Sequence, residues 1–436
     1  MRNNLERLWV FAILFINGWT FALPVTEETM PIWLTPVQLI HGIFIHELLL
    51  MAYLGFLVVK LDGYLPIRRH GASEIAFLIF GLALLGVLSN AINFQLLQLM
   101  GACRLFLLAI YFLLSIHWAK KYGPTFVLRT LLFGIASSGA INIYYAFKIS
   151  PMELGGLPFL LGQNGPGGPL GISVVLSAWL MLVRKTLFDT TIALATGAIG
   201  VFGSSISYSK LSMLMAGFGL IAWVFVLCLT IVGRRSRRLT AMILAILLAI
   251  AFANQDLITR YLQGVDTFIN YKFVSMDDRS IETRSQYFII TAEILLRHPL
   301  LGVGYGGFYD AATATEGYKS NRSTEEDAEA GQRGESNPHS SFLYYASANG
   351  LPGLLLTMLL FIMVLRAYWR TLSRNGMSGR VLWVCLAVSY FIFGMTLPTL
   401  FNTAILYVPA AVGISLRNHT RSGTSMIRAA IIPIPS

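Results

Sequence analysis

One histidine and three cations stand out in this chain because their chemistry is at odds with their apolar surroundings. His339 lies in the stretch Asn337-Pro338-His339-Ser340, directly ahead of a long apolar run. An imidazole titrates near neutrality, so at a membrane surface it can take a proton from an attacking hydroxyl, or it can be an ordinary interfacial histidine. Arg284 opens the stretch RSQYFIITAEILLRHPLLGVGYGGF. A guanidinium grips diphosphate oxygens bidentately and offsets charge on a leaving group, although a lone loop arginine is usually just hydrated. Lys210, in SISYSKLSML, begins an apolar run with Ser205, Ser207 and Ser209 beside it. A cation placed there either snorkels or meets an anion. Arg104 sits inside FQLLQLMGACRLFLLAIYFLL, where an unpaired charge costs at least about 2.5–3.5 kcal/mol. Glu47 can be its partner in a structural ion pair; the alternative is a lipid phosphate reaching into a polar cavity, which would make Arg104 a third diphosphate contact.

Metal and redox chemistry find little support. His41 and His46 point about 140° apart on a helix, and HELLL lacks the second histidine of a zinc motif. Cys103, Cys228 and Cys385 lie in apolar runs without a CxxC or Cys/His pair, so neither a disulfide nor a metal site is expected. The glycines of LGVGYGGF neither follow a strand nor open a helix, which rejects a dinucleotide fingerprint. No cofactor is expected.

The elements that must position these residues are membrane helices. Of the 436 residues, 56% are hydrophobic and only 12% charged, against about a quarter charged in soluble domains. The net charge of +11 comes from short basic clusters beside the ends of apolar runs, with no aromatic-interleaved patch, so no nucleic-acid partner is expected. Runs of spanning length cover residues 8–25, 36–59, 74–93, 94–118, 125–147, 170–183, 190–204, 211–232, 239–253, 351–368, 381–395 and 397–416. The expected fold is therefore an all-α bundle of about twelve transmembrane helices. Arg2 and Arg7 precede an apolar run with no small-x-small cleavage site, which favours an uncleaved first span.

Basic residues gather in alternate connections: Lys60/Arg68/Arg69, Lys120/Lys121, Arg184/Lys185, Arg234–Arg238 and Arg366–Arg380. The short intervening connections hold Lys148 and Lys210 with Glu27, Glu28 and Glu153. This alternation puts both termini in the cytoplasm and residues 254–350 on the far side, as one large loop between spans 1–9 (residues 1–253) and spans 10–12 (residues 351–416). A basic tail, residues 417–436, follows. In the loop, Ser285–Arg297 suits a short helix on the membrane face or the bundle top, with Arg284 just ahead of it. Asp310–Glu335 is polar and locally acidic, with almost no apolar residue to fold around; it reads as a mobile surface segment or a lid. A second Gly/Pro-rich connection, GGLPFLLGQNGPGGPLG, falls on the same side and reads equally as a close backbone approach to a ligand or as turns.

Taken in order, R-S-Q-Y-F, A-E, R-H-P-L-L-G-V-G-Y-G-G-F, a polar insert, H-S-S-F-L and N-G-L-P-G-L-L resemble the signature loop of the O-antigen ligase/polymerase superfamily. SSISYSKL is similar to the serine-basic element that opens a mid-chain span in that group. The motifs cover about a quarter of the chain. The resemblance implies a GT-C-like, metal-independent inverting glycosyltransferase of the bacterial inner membrane. Such an enzyme moves glycan from undecaprenyl diphosphate to a sugar hydroxyl on the periplasmic side. It further implies His339 as the catalytic histidine, Arg284 as the loop arginine and Lys210 as a second diphosphate-binding cation. Two positions depart from the pattern: Ser340 stands where asparagine is common, and Lys210 where ligases commonly carry arginine. Lysine keeps the charge and loses the fork, which favours a polysaccharide polymerase over a ligase acting on lipid A–core. A polysaccharide acceptor, membrane lipid, a chain-length regulator and a flippase are the implied partners. A lipid-linked glycan transporter is the reading from another class; against it, the chain shows no related halves and carries its hydrophilic mass outside.

Overall fold

The computed structural model describes residues 2–18, 38–40, 43–60, 72–95, 99–149, 167–206, 210–230, 280–320, 338, 340–397 and 400–429. Lipid offers backbone groups no partner, so each long apolar run folds as a helix that satisfies its own N–H and C=O groups. These are α1 (Arg2–Gly18), α2 (Ile45–Lys60), α3 (Ala72–Ile92), α4 (Leu99–Tyr122), α5 (Pro124–Ile149), α6 (Gly167–Val183), α7 (Leu187–Ile206) and α8 (Lys210–Thr230). Three further helices follow among the described residues: α9 (Ser280–Arg297), α10 (Phe308–Thr313) and α11 (Glu316–Ser320). The chain then forms α12 (Ser341–Leu372), α13 (Gly376–Thr396) and α14 (Ala404–Ala429). Among the described residues, five segments are long and apolar enough to cross a membrane: Glu74–Ile92, Gly101–Tyr122, Pro124–Ile141, Leu187–Ser204 and Ser341–Thr396, the last holding the α12–α13 hairpin. The protein is an all-α polytopic membrane bundle; a two-stranded ribbon, β1 (Gln38–Ile40) with β2 (Ile43–Phe44), is its only sheet among the described residues.

Helix α6 packs on α7 and α8, α13 on α8 and α6, α3 on α4 and α12, and α14 on α4, α5 and α12. Small residues let backbones meet: Gly18 of α1 and Gly134 of α5 leave no room for a Cβ on either side. One end of the bundle is pinned by charge. Lys121 at the end of α4 pairs with buried Glu6 of α1, and Arg129 in the first turns of α5 lies 2.8 Å from Asp189 in α7. Asp189 also accepts the N–H of Thr186 while Thr186 Oγ1 accepts that of Asp189, a reciprocal cap on α7. These contacts gather the start of α1, the end of α4 and the starts of α5 and α7 at one end. The alternating charge pattern requires the same grouping.

Several boundaries differ from those the sequence predicts. The run 36–59 opens with the ribbon and becomes helical only at Ile45. The run 94–118 forms a helix from Leu99, so Arg104 is in the second turn near its end rather than mid-span. Helix α12 starts at Ser341, ten residues ahead of the expected 351, and α14 runs from Ala404 past Leu416 into the basic tail. The segment expected to be structureless from Asp310 is helical as far as Ser320. Phe308, Ala312 and Tyr318 pack there with Tyr287, Ile290, Ile294 and Val303 in a small satellite core. The expected span 239–253 and the Gly/Pro-rich connection before α6 lie outside the described residues, apart from its last residues, which open α6.

Candidate functional site

The organising feature of the far end is a break in α12. Pro352 has no N–H, so Ala348 C=O loses its helical partner, and Gly350 adopts φ 68, ψ −162 in mid-helix. The Leu351 N–H turns outward and donates to Pro299 O at 2.8 Å. Two carbonyls are thereby freed, and the glycine turn after α9 takes them. Val303 N–H donates to Ser347 O at 2.9 Å and Gly304 N–H to Ala348 O at 3.0 Å. Gly302, at φ 63, allows this approach: a Cβ there would collide with the Ser347 carbonyl. The two glycine-bearing motifs, Gly302-Val303-Gly304 and Asn349-Gly350-Leu351-Pro352, are halves of one joint.

The end of α3 locks the joint. Ser89 Oγ lies within hydrogen-bond distance of Ala348 O, at 2.6 Å, and of Leu301 O. Asn93 Nδ2 donates to Gly302 O at 3.3 Å, and Asn90 Oδ1 accepts the Tyr305 N–H at 3.0 Å. The Tyr305 ring fills the space left by Gly86 of α3 and Gly101 of α4 and stacks on Tyr344, while its hydroxyl oxygen accepts from Asn349 Nδ2 at 3.2 Å. Burial drives the Tyr305 phenol well above its ordinary pKa, only partly countered by the Asn349 bond, so it stays neutral through physiological pH. Ser89, Asn90, Asn93, Tyr305 and Asn349 were not singled out by sequence reasoning. The readable signal was S-N-x-x-N closing an apolar run, where polar side chains need partners.

Arg284 is the fifth residue of α9, inside the helix rather than ahead of it. One turn on, Tyr287 joins the satellite core, against which Leu343 of α12 packs. His339 itself lies outside the described residues, but both neighbours are fixed. Pro338 is buried, and Ser340 caps α12 by accepting the Leu343 N–H while its hydroxyl donates to Gly394 O at 3.2 Å. Ser341 Oγ donates to Leu397 O and accepts the Leu400 N–H at 3.0 Å, tying the start of α12 to the end of α13. Lys210 is the first residue of α8. Two residues on, the Ser212 carbonyl touches Gly171 of α6, and Gly168 at the start of α6 touches Phe393 of α13 and Leu397 just after it. The start of α8, helix α9 and the start of α12 therefore converge on one end of the bundle, and His339 precedes the last of these in the chain. Arg104 is at that end too, with its Nε donating to Glu47 Oε1 at 2.9 Å.

Residues 192–358 match the family model described as O-antigen ligase, and this segment contains Lys210, Arg284, His339 and both halves of the joint. The match agrees with the family that the sequence motifs resemble. It supports glycan transfer of the O-antigen ligase/polymerase kind in general, with lipid-linked glycan and polysaccharide as substrates, and does not separate polymerisation from ligation. No curated protein matches the chain.

Proposed function

We propose that this protein is a polysaccharide polymerase that transfers undecaprenyl-diphosphate-linked repeat units to a growing chain at the periplasmic face of the bacterial inner membrane. The observation that carries the reading is the convergence just described: the starts of α8 and α12 and the adjoining α9 meet at one end of the bundle, within the matched segment. In this reading both termini face the cytoplasm, and the joint, α9 and the start of α12 face the periplasm. The donor's diphosphate lies at the outer membrane surface against Arg284 and Lys210. His339 accepts the proton of the acceptor hydroxyl as its oxygen attacks the anomeric carbon. The bond from that carbon to the diphosphate oxygen breaks with inversion, and lipid diphosphate departs. The leaving group arrives activated, and the two cations neutralise it. Arg104 stays on Glu47 and supports the bundle.

Ligation of finished glycan to lipid A–core is the second reading, favoured by the description of the matching family. Purified protein supplied with lipid-linked donor, with and without lipid A–core, separates the two. Chains that lengthen from donor alone are the expected result. Product that forms only when lipid A–core is present replaces polymerase with ligase, and no covalent product under either condition overturns both.

A further inference from the structure

Helix α9 buries Tyr287, Ile290 and Ile294 against the rest of the cap. Its opposite side is not polar, as a water-facing helix would be: Phe288, Ile289 and Leu296 are exposed there, Leu296 by 82%. In the following turn Leu300 is 73% exposed. Leu300 adjoins exposed apolar residues of α12, a helix in a segment apolar and long enough to cross a membrane. The Pro299 and Leu300 carbonyls lie against Gly350, and the next residue along α12, Leu351, is exposed, as is Leu355 one turn further. A second, independent observation comes from α3. Phe94 closes that helix in a Schellman turn, with Gln95 N–H donating to Asn90 O at 2.8 Å, and takes φ 56 in the position that glycine ordinarily fills. Phe94 is 87% exposed, and Gln95 after it lies against Gly304 of the glycine turn. A bulky residue in left-handed backbone with its phenyl in water is unfavourable on both counts; with the phenyl among acyl chains only the backbone cost remains.

We infer that the outward face of α9, together with Leu300 and Phe94, seats in the outer leaflet of the bilayer at the level of the α12 break. Lipid, and not a partner protein, covers this face, because it prolongs the apolar surface that the spans already present to lipid. Anchored this way, α9 holds the cap at headgroup depth. The inference concerns the surface alone and stands or falls apart from the transfer chemistry.

The test uses the full chain in lipid vesicles with its three cysteines replaced by alanine. A nitroxide is placed in turn at Leu296→Cys, Leu300→Cys and Asp310→Cys, with Ile289→Cys as a second position on the same face. Collisions with oxygen, which concentrates in lipid, are compared with collisions with a water-soluble nickel chelate. At Leu296, Leu300 and Ile289 oxygen should dominate, and at exposed Asp310 the nickel chelate should dominate, so the depth parameter changes sign along the cap. Nickel accessibility at Leu296 and Leu300 equal to that at Asp310 overturns the proposal. Shielding from both reagents overturns it equally, since protein would then cover the face.

Discussion

At Arg104 the cost of a charge within an apolar span is offset by Glu47, the one acid in the first turn of α2. Glu47→Ala should lower unfolding stability by about 1–3 kcal/mol, less than for a sealed pair because the arginine side chain is 34% exposed. A Glu47→Ala/Arg104→Met protein should recover much of that loss in thermal unfolding, since neither member of the pair is left without the other. A double variant as unstable as the single one would show the pair does not act as a unit. Arg104 was legible in the sequence because a lone cation in an apolar run demands an explanation. Asp189, which caps α7 and holds Arg129, was not singled out, although T-x-x-D before an apolar run is a readable cap signal. The Ser340 departure also has a physical reading: its hydroxyl caps α12 and bonds Gly394 O, a local job that serine performs as well as asparagine.

At the scale of elements, the joint between the glycine turn and the broken α12 makes a prediction that runs against helix propensity. Alanine is ordinarily far better than proline inside a helix. Yet Pro352→Ala restores an N–H that competes for the Ala348 carbonyl now bonded by Gly304 and Ser89, so it should lower the midpoint of thermal unfolding. A higher midpoint would contradict the joint. Gly302→Ala should cost more, at least about 1–3 kcal/mol from backbone strain alone, whereas Ser89→Ala should cost about 0.5–1.5 kcal/mol. A similar device recurs in α14: Pro409 leaves Ile405 O without its helical donor, and Tyr390 Oη donates to it at 2.5 Å. Hydropathy made most helices readable, because a run of spanning length has one way to satisfy its backbone. Their ends were less so. The start of α12 is hidden in HSSFLYYASANG, whose small and polar residues are paired by tertiary contacts from α3 and α13 rather than by their own run. The fold of residues 308–320 was missed because its anchors, Phe308 and Tyr318, are single apolar residues ten apart. A hydrophobic period needs more members than that.

Across the whole molecule, charge divides the bundle into two ends. One holds Glu6 with Lys121 and Arg129 with Asp189; the other holds the joint, the starts of α8 and α9 that bear Lys210 and Arg284, and the start of α12. In intact cells a cysteine at Asp310 should react with a membrane-impermeant thiol reagent, while one at Arg374 should react only after permeabilisation. The reverse pattern would invert the proposed orientation. The grouping of elements was legible in alternating basic connections, because the bilayer makes topology a matter of counting. The joint was not, because it pairs backbone groups more than 40 residues apart in sequence that no local pattern marks. The proposed transfer rests most heavily on His339, and the most direct measurement is transfer from purified undecaprenyl-diphosphate-linked repeat unit by purified His339→Ala protein, matched to wild type for membrane insertion and thermal stability. Polymer formation should fall by roughly 10²–10⁴-fold, the usual contribution of a general base. A rate within twofold of wild type would contradict it.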